Sequence, residues 1–177
     1  MSDVSEILIR RRSIRKFADE KISSEETELI LRAALLSPTS KNSRSWEFVV
    51  IEDKEMLEKL SKCKPNSASF LTGAALAVVV LGNPILSDVW IEDASIASTS
   101  MLLQAEDLNI GACWIQVRER YYSETITSAD YINDLLNVPV PLEPLCILAF
   151  GRKEKPRTPH DIDDLPWEKV HIGSYRS

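Results

Sequence analysis

Three short stretches of the chain carry side chains suited to holding or facing a ligand. The first is Arg10-Arg11-Arg12-Ser13-Ile14-Arg15-Lys16. Arg11 and Arg15 stand four residues apart with Ser13 between them. In a helical turn the two arginines share a face, and in an extended segment all three residues share one side. Either way two forked guanidinium groups and a hydroxyl converge, which is the donor set that a phosphate needs. The same run also reads as a solvated basic face. The second stretch is residues 38–45, where Thr39, Ser40, Asn42 and Ser45 offer uncharged donors and acceptors. Such groups suit the edge of a neutral heteroaromatic ring, and in a loop they equally serve to satisfy local backbone. The third is Gly111-Ala112-Cys113-Trp114-Ile115. Small residues at the head of a strand let a flat ligand approach the backbone, although a buried strand start explains the composition as well. Cys113 has no histidine near it in sequence, so it reads as a small buried hydrophobe rather than a nucleophile.

These stretches must be placed by the elements around them. Residues 4–10 predict a short helix, with Val4, Ile7 and Leu8 on one side. Ser23 and Glu26 fit a capping box that opens a second helix, whose stripe is Leu29, Ile30, Ala33 and Ala34 and which Ser37-Pro38 ends. Residues 46–51 and 75–81 predict strands from their aromatic and β-branched content, separated by a short amphipathic helix over 54–62. The longest helical pattern runs from about 87 to 108, with Ala94, Ala97, Met101, Leu102 and Ala105 recurring at helical spacing. Its many small residues predict a helix that lies close against other backbone, in the core or at a dimer interface. Asn109 and Gly111 read as its stop. A strand over 112–117, a helix over 129–136 and a strand over 145–150 follow. From 153 to 177, Pro156, Pro159 and Pro166 and many charges predict an extended arm. Trp167, Val170 and Ile172 form its last apolar cluster, a candidate edge strand.

The 177 residues, 44% hydrophobic and 27% charged, predict one domain over 1–177 with a sizeable core. A formal charge of -6 argues against a general nucleic-acid partner. The five glycines lie too far apart to build a Rossmann or P-loop nucleotide site. Three scattered cysteines and two histidines show neither a disulfide framework nor metal-ligand spacing. With no secretory apolar run near residue 1 and no membrane-length segment, the expectation is a cytoplasmic protein with no membrane partner.

Taken in series, four motifs resemble the nitroreductase family of FMN-dependent NAD(P)H oxidoreductases. They are Arg11-Arg12-Ser13-Ile14-Arg15, Ser37-Pro38-Thr39-Ser40-Lys41-Asn42 before the strand at Trp46, the helix over 93–108 leading to 109–115, and residues 149–156. The resemblance implies an α+β, nitroreductase-like fold: a central mixed β-sheet surrounded by helices, in an intertwined homodimer. It implies two non-covalent FMN sites at the interface and NAD(P)H as electron donor. The acceptor would be an electron-poor small molecule such as a nitroaromatic, quinone or enone, with ping-pong kinetics. No catalytic side chain is then required, since flavin N5 does the chemistry.

By position, the resemblance assigns Arg11, Ser13 and Arg15 to the flavin phosphate, ribityl chain and pyrimidine edge, with Arg12 among them. It assigns Arg152, beside Gly151, to the phosphate. Pro38, Thr39, Ser40 and Asn42 would reach the ring from the partner subunit, the backbone of Gly111 and Ala112 would face it, and Asn66 would lie by the ribityl chain. The arm over 153–177 would pack on the partner. The chain departs from the family at Arg44-Ser45, where many members carry Gln-Pro, and at residues 70–74, which lack the usual Ala-Pro. Competing readings are a flavin store or sensor without turnover, a specialised reductive dehalogenase of the same fold, and a nucleic-acid-binding arm.

Overall fold

A computed structural model describes residues 3–175. Four strands form one sheet in the order β1-β2-β4-β3, with β1 Trp46–Ile51, β2 Leu76–Gly82, β3 Ile110–Gln116 and β4 Glu143–Arg152. These strands pair antiparallel throughout. The sheet's mixed character comes from a parallel bridge between Ser13 and Ala112 on the free edge of β3.

Every residue of β2 is buried, and its side chains alternate between two core layers. Val78 and Val80 face a layer with Ile30 and Ala34 of α2 (Ser24–Leu35) and Ala97, Met101 and Ala105 of α4 (Trp90–Asp107). Ala77 and Val79 face the other layer, with Leu57 and Leu60 of α3 (Lys54–Leu60) and Ile132 of α5 (Ser128–Leu136). A strand covered on both faces reads as an unbroken apolar run, which is why residues 75–81 stand out in the sequence.

Local chemistry sets the element ends. The Ser23–Glu26 capping box is formed, with both reciprocal hydrogen bonds present. Asn109 stops α4 with φ 56°. Gly111 takes no part in that stop, contrary to the sequence reading, because it already pairs with Gly151 inside the sheet. Helix α1 (Val4–Arg10) is capped by Asp3. Beyond β4 the chain is exposed from Glu154 to Tyr175. Trp167 does not enter an edge strand, as Trp167–Lys169 is a single 3-10 turn with Trp167, Val170 and Ile172 all exposed. Among the described residues no helix is long and apolar enough to cross a membrane.

Candidate functional site

The N-terminal run and the head of β3 meet. Leaving α1, the chain lays residues 13–18 along the sheet edge: Ile14 N–H donates to the Ala112 carbonyl at 2.9 Å, and Ala18 N–H donates to that of Arg152 at 2.9 Å. Phe17 bridges to Lys153. Two glycines make this approach possible. A Cβ on Gly111 would stand 2.8 Å from the Ile14 side chain, and one on Gly151 would stand 2.7 Å from the Phe17 ring. The missing side chains therefore admit the protein's own N-terminal segment, rather than opening space for a flat ligand as the sequence suggests.

The segment and sheet together enclose cavities. One, of about 240 Å³, is lined by Arg11, Ser13, Thr99, Leu102, Ala112, Cys113 and Trp114. A second, of about 440 Å³, lies open to solvent across Ser13 and Arg15 and is bordered by Lys16, Glu154, Lys155, Pro156 and Arg157. Lys64, from the loop after α3, donates to the Gln116 carbonyl at 3.2 Å and lies near enough to Cys113 to act on its thiol. The Arg15 guanidinium lies 5.9 Å from the centre of the Phe70 ring, close enough for a cation–π contact.

Cationic groups surround the Cys113 thiol. Burial pushes its thiol pKa up, while Arg15, a hydrogen bond from Ser13, Lys64 and Arg11 all act in the opposite direction. Burial also lowers the Lys64 pKa. The other two thiols are buried deeper, pushed up to about 11 at Cys63 and about 12 at Cys146.

Two of the expected cationic contacts lie elsewhere. The Arg152 fork is closed on Glu26, at 2.9 and 2.7 Å, with Glu20 at 3.2 Å from its Nε. Two carboxylates already occupy the geometry that would grip a phosphate, so Arg152 ties β4 to α2 instead. Arg12 donates to the Thr158 carbonyl at 2.6 Å and holds the start of the C-terminal arm, where His160 N–H also donates to the Ile9 carbonyl at 2.8 Å. Sequence reasoning missed the residues that do line the cavity. The Lys155-Pro156-Arg157 run carried a signal in its charge, and Lys64, which acts on Cys113 without lining either cavity, stands two residues before Asn66. Asn66 itself is exposed on that loop.

Residues 38–45 lie apart from these cavities, against the first turn of α4. Asp93 accepts from Ser40 N–H at 2.8 Å. Pro38 and Asn42 are exposed, and Thr39 and Ser40 are half-buried. Three consecutive or near-consecutive residues are left-handed: Lys41 (φ 52°), Asn42 (φ 55°) and Arg44 (φ 47°). Asparagine tolerates this region, but for lysine and arginine it costs about 1–2 kcal/mol each. Arg44 closes the loop on itself: its N–H donates to Thr39 Oγ1 at 3.1 Å and its Nε to Asn42 Oδ1 at 3.2 Å.

The model of the Nitroreductase family matches residues 8–64 and 61–152. The chain belongs to the nitroreductase family. The nitroreductase fold is shared at a TM-score of 0.94 and 43% identity with an FMN-dependent nitroreductase from Clostridium difficile R20291, over 96% of this chain and 98% of that one. A protein of Archaeoglobus fulgidus, provisionally named an NADH dehydrogenase/NAD(P)H nitroreductase, is 34% identical over 168 residues, 93% of each chain. An FMN reductase (NADPH) of Bacillus subtilis is 24% identical over 184 residues, covering 90% of this chain and 71% of its own length. This nitroreductase-family chain therefore carries its cationic run, its small-residue strand and its polar loop on a shared scaffold.

Proposed function

We propose that the protein is an NAD(P)H-dependent flavin oxidoreductase that holds FMN non-covalently and reduces an electron-poor small molecule. The observation that carries this reading is the seating of Ser13 on Ala112 by a backbone bridge, between one cavity lined by Arg11 and Ala112 and a second lined by Arg15, Lys155 and Arg157. That donor set fits a phosphorylated, flat cofactor. Forked and point cations suit the phosphate, and the small Ala112 borders the space for a ring. Bound FMN supplies the two-electron chemistry between nicotinamide and acceptor.

The chain's own residues bind, orient and tune. Arg11, Ser13, Lys155 and Arg157 hold the phosphate and ribityl chain. Arg15 and Lys64 place positive charge where the pyrimidine edge lies, stabilising negative charge that develops there. The loop with Pro38, Thr39, Ser40 and Asn42 belongs to the ring of the partner subunit, since within one chain it packs away from the Ser13 cavities. The functional unit is accordingly a homodimer, with the arm beyond His160 lying on the partner. Its exposed Leu165, Trp167, Val170 and Tyr175 supply an apolar face for that contact. Donor and acceptor occupy the same surface in turn, giving ping-pong kinetics.

Flavin bands in the purified protein, together with NAD(P)H oxidation dependent on menadione or a nitroaromatic compound, are the expected result. A protein that takes up FMN without turnover would be a flavin store, and the enzymatic reading would fall. One that takes up no FMN would overturn the whole proposal.

A further inference from the structure

Asp93 is 3% exposed. It sits in the first turn of α4, where the helix dipole favours a carboxylate. Both its oxygens are engaged by neutral donors. Oδ1 accepts from Ser40 N–H at 2.8 Å, and Oδ2 accepts from the hydroxyls of Ser43 at 3.1 Å and Ser87 at 3.3 Å. A buried carboxylate is costly unless hydrogen-bonded, and here the partners come from both sides of one loop turn and from the entry to the helix.

What it holds is strained. Lys41, Asn42 and Arg44 keep positive φ, and such backbone persists only where the surroundings over-determine it. The loop's internal bonds, Arg44 to Thr39 and Arg44 to Asn42, are exposed. Asp93 is the buried anchor, bonded to Ser40 on one side of the left-handed pair and to Ser43 on the other. The same helix runs on through Thr99 and Leu102 to the Ala112–Trp114 cavity. One rigid rod thus ties the loop, which serves the partner's flavin, to the cavity of this chain's own site.

We propose that Asp93 is a positioning residue that fixes the strained loop on α4, and so sets how Thr39, Ser40 and Asn42 meet the flavin ring of the partner subunit. This rests on the reading of residues 38–45 as a flavin-contacting loop. The loop closes its own turn through backbone bonds and through Arg44, and the buried Asp93 carboxylate fixes that turn on α4.

The test measures FMN affinity, the visible circular dichroism of bound flavin, and kcat against KM in holoprotein. Asp93→Ala is expected to weaken FMN binding by about ten-fold and lower kcat, with an altered visible dichroism. Asp93→Asn keeps an acceptor for Ser40 N–H and is expected to recover most of that loss. Should Asp93→Ala fail to fold, Ser43→Ala removes a single bond to the anchor and is expected to give a smaller loss in the same direction. Wild-type affinity and dichroism in Asp93→Ala, or in Ser43→Ala should Asp93→Ala not fold, would overturn the proposal if Thr39→Ala and Asn42→Ala do weaken FMN. So would an Asp93→Ala protein that loses only thermal stability. If Thr39→Ala and Asn42→Ala leave FMN binding untouched, the flavin-contacting reading of the loop itself falls.

Discussion

Arg15 and Arg152 do different work, and substitution separates them. Arg15 lines the cavity, so Arg15→Ala is expected to weaken FMN retention by about ten-fold or more, the loss of one charge-assisted contact. Arg152→Ala is expected to leave FMN retention near wild type, but to destabilise the fold by about 1–3 kcal/mol by leaving Glu26 without its fork. Flavin content after gel filtration and thermal unfolding of the two variants check the contrast. Gly111→Ala and Gly151→Ala press a methyl group into Ile14 and Phe17 respectively. Each should cost about 1–3 kcal/mol, with Gly111→Ala also shedding FMN because it lifts Ser13 from Ala112. The thiols offer a different check. With Cys63 and Cys146 pushed up to about 11 and about 12, and Cys113 pushed upward as well, folded protein at pH 8 should resist alkylation until denatured.

At the level of elements, the link between α2 and β4 is titratable. The Arg152 hydrogen bond, outweighing burial, holds the Glu26 carboxyl below its ordinary 4.5. A lowered folded-state pKa means that the stabilisation is complete above the ordinary value, and is lost as pH falls through the lowered one. Glu26→Gln should therefore be less stable than wild type at pH 7, with the two melting curves converging as the pH falls through the lowered value. The capping box that places Glu26 was legible in Ser23 and Glu26, as were all four strands and the small-residue stripe of α4. These rest on local chemistry and periodicity. The partner of Arg152 was not legible, because Glu26 and Glu20 lie over a hundred residues away and only the fold unites them. Family resemblance placed Arg152 at a phosphate for the same reason, since position in a motif does not reveal which neighbour claims a guanidinium. The roles of Gly111 and Gly151 were hidden likewise, as a glycine's composition signal is the same whether a ligand or another strand comes close. Lys155 and Arg157 escaped because the arm offers no periodicity from which to orient its side chains.

At the scale of the whole molecule, the arm and the N-terminal segment act as a unit, joined by Arg12 to the Thr158 carbonyl and by His160 to that of Ile9. Removing residues 161–177 keeps these joints and the cavity-lining Lys155 and Arg157 while deleting the exposed apolar cluster. If that cluster lies on the partner, the shortened protein should dissociate at concentrations about ten-fold or more above those at which the full chain does, as light scattering after gel filtration would show.

The bridge from Ser13 to Ala112 has one more consequence. Strand β3 ends the sheet on its side, and its outward amides and carbonyls form a template for another chain unless something lies over them. The segment that presents the cationic side chains is also the cover for that border. Stripping the coenzyme would loosen the cover, so cofactor-depleted protein should grow turbid on mild warming sooner than the yellow form does, making colloidal behaviour a readout of occupancy.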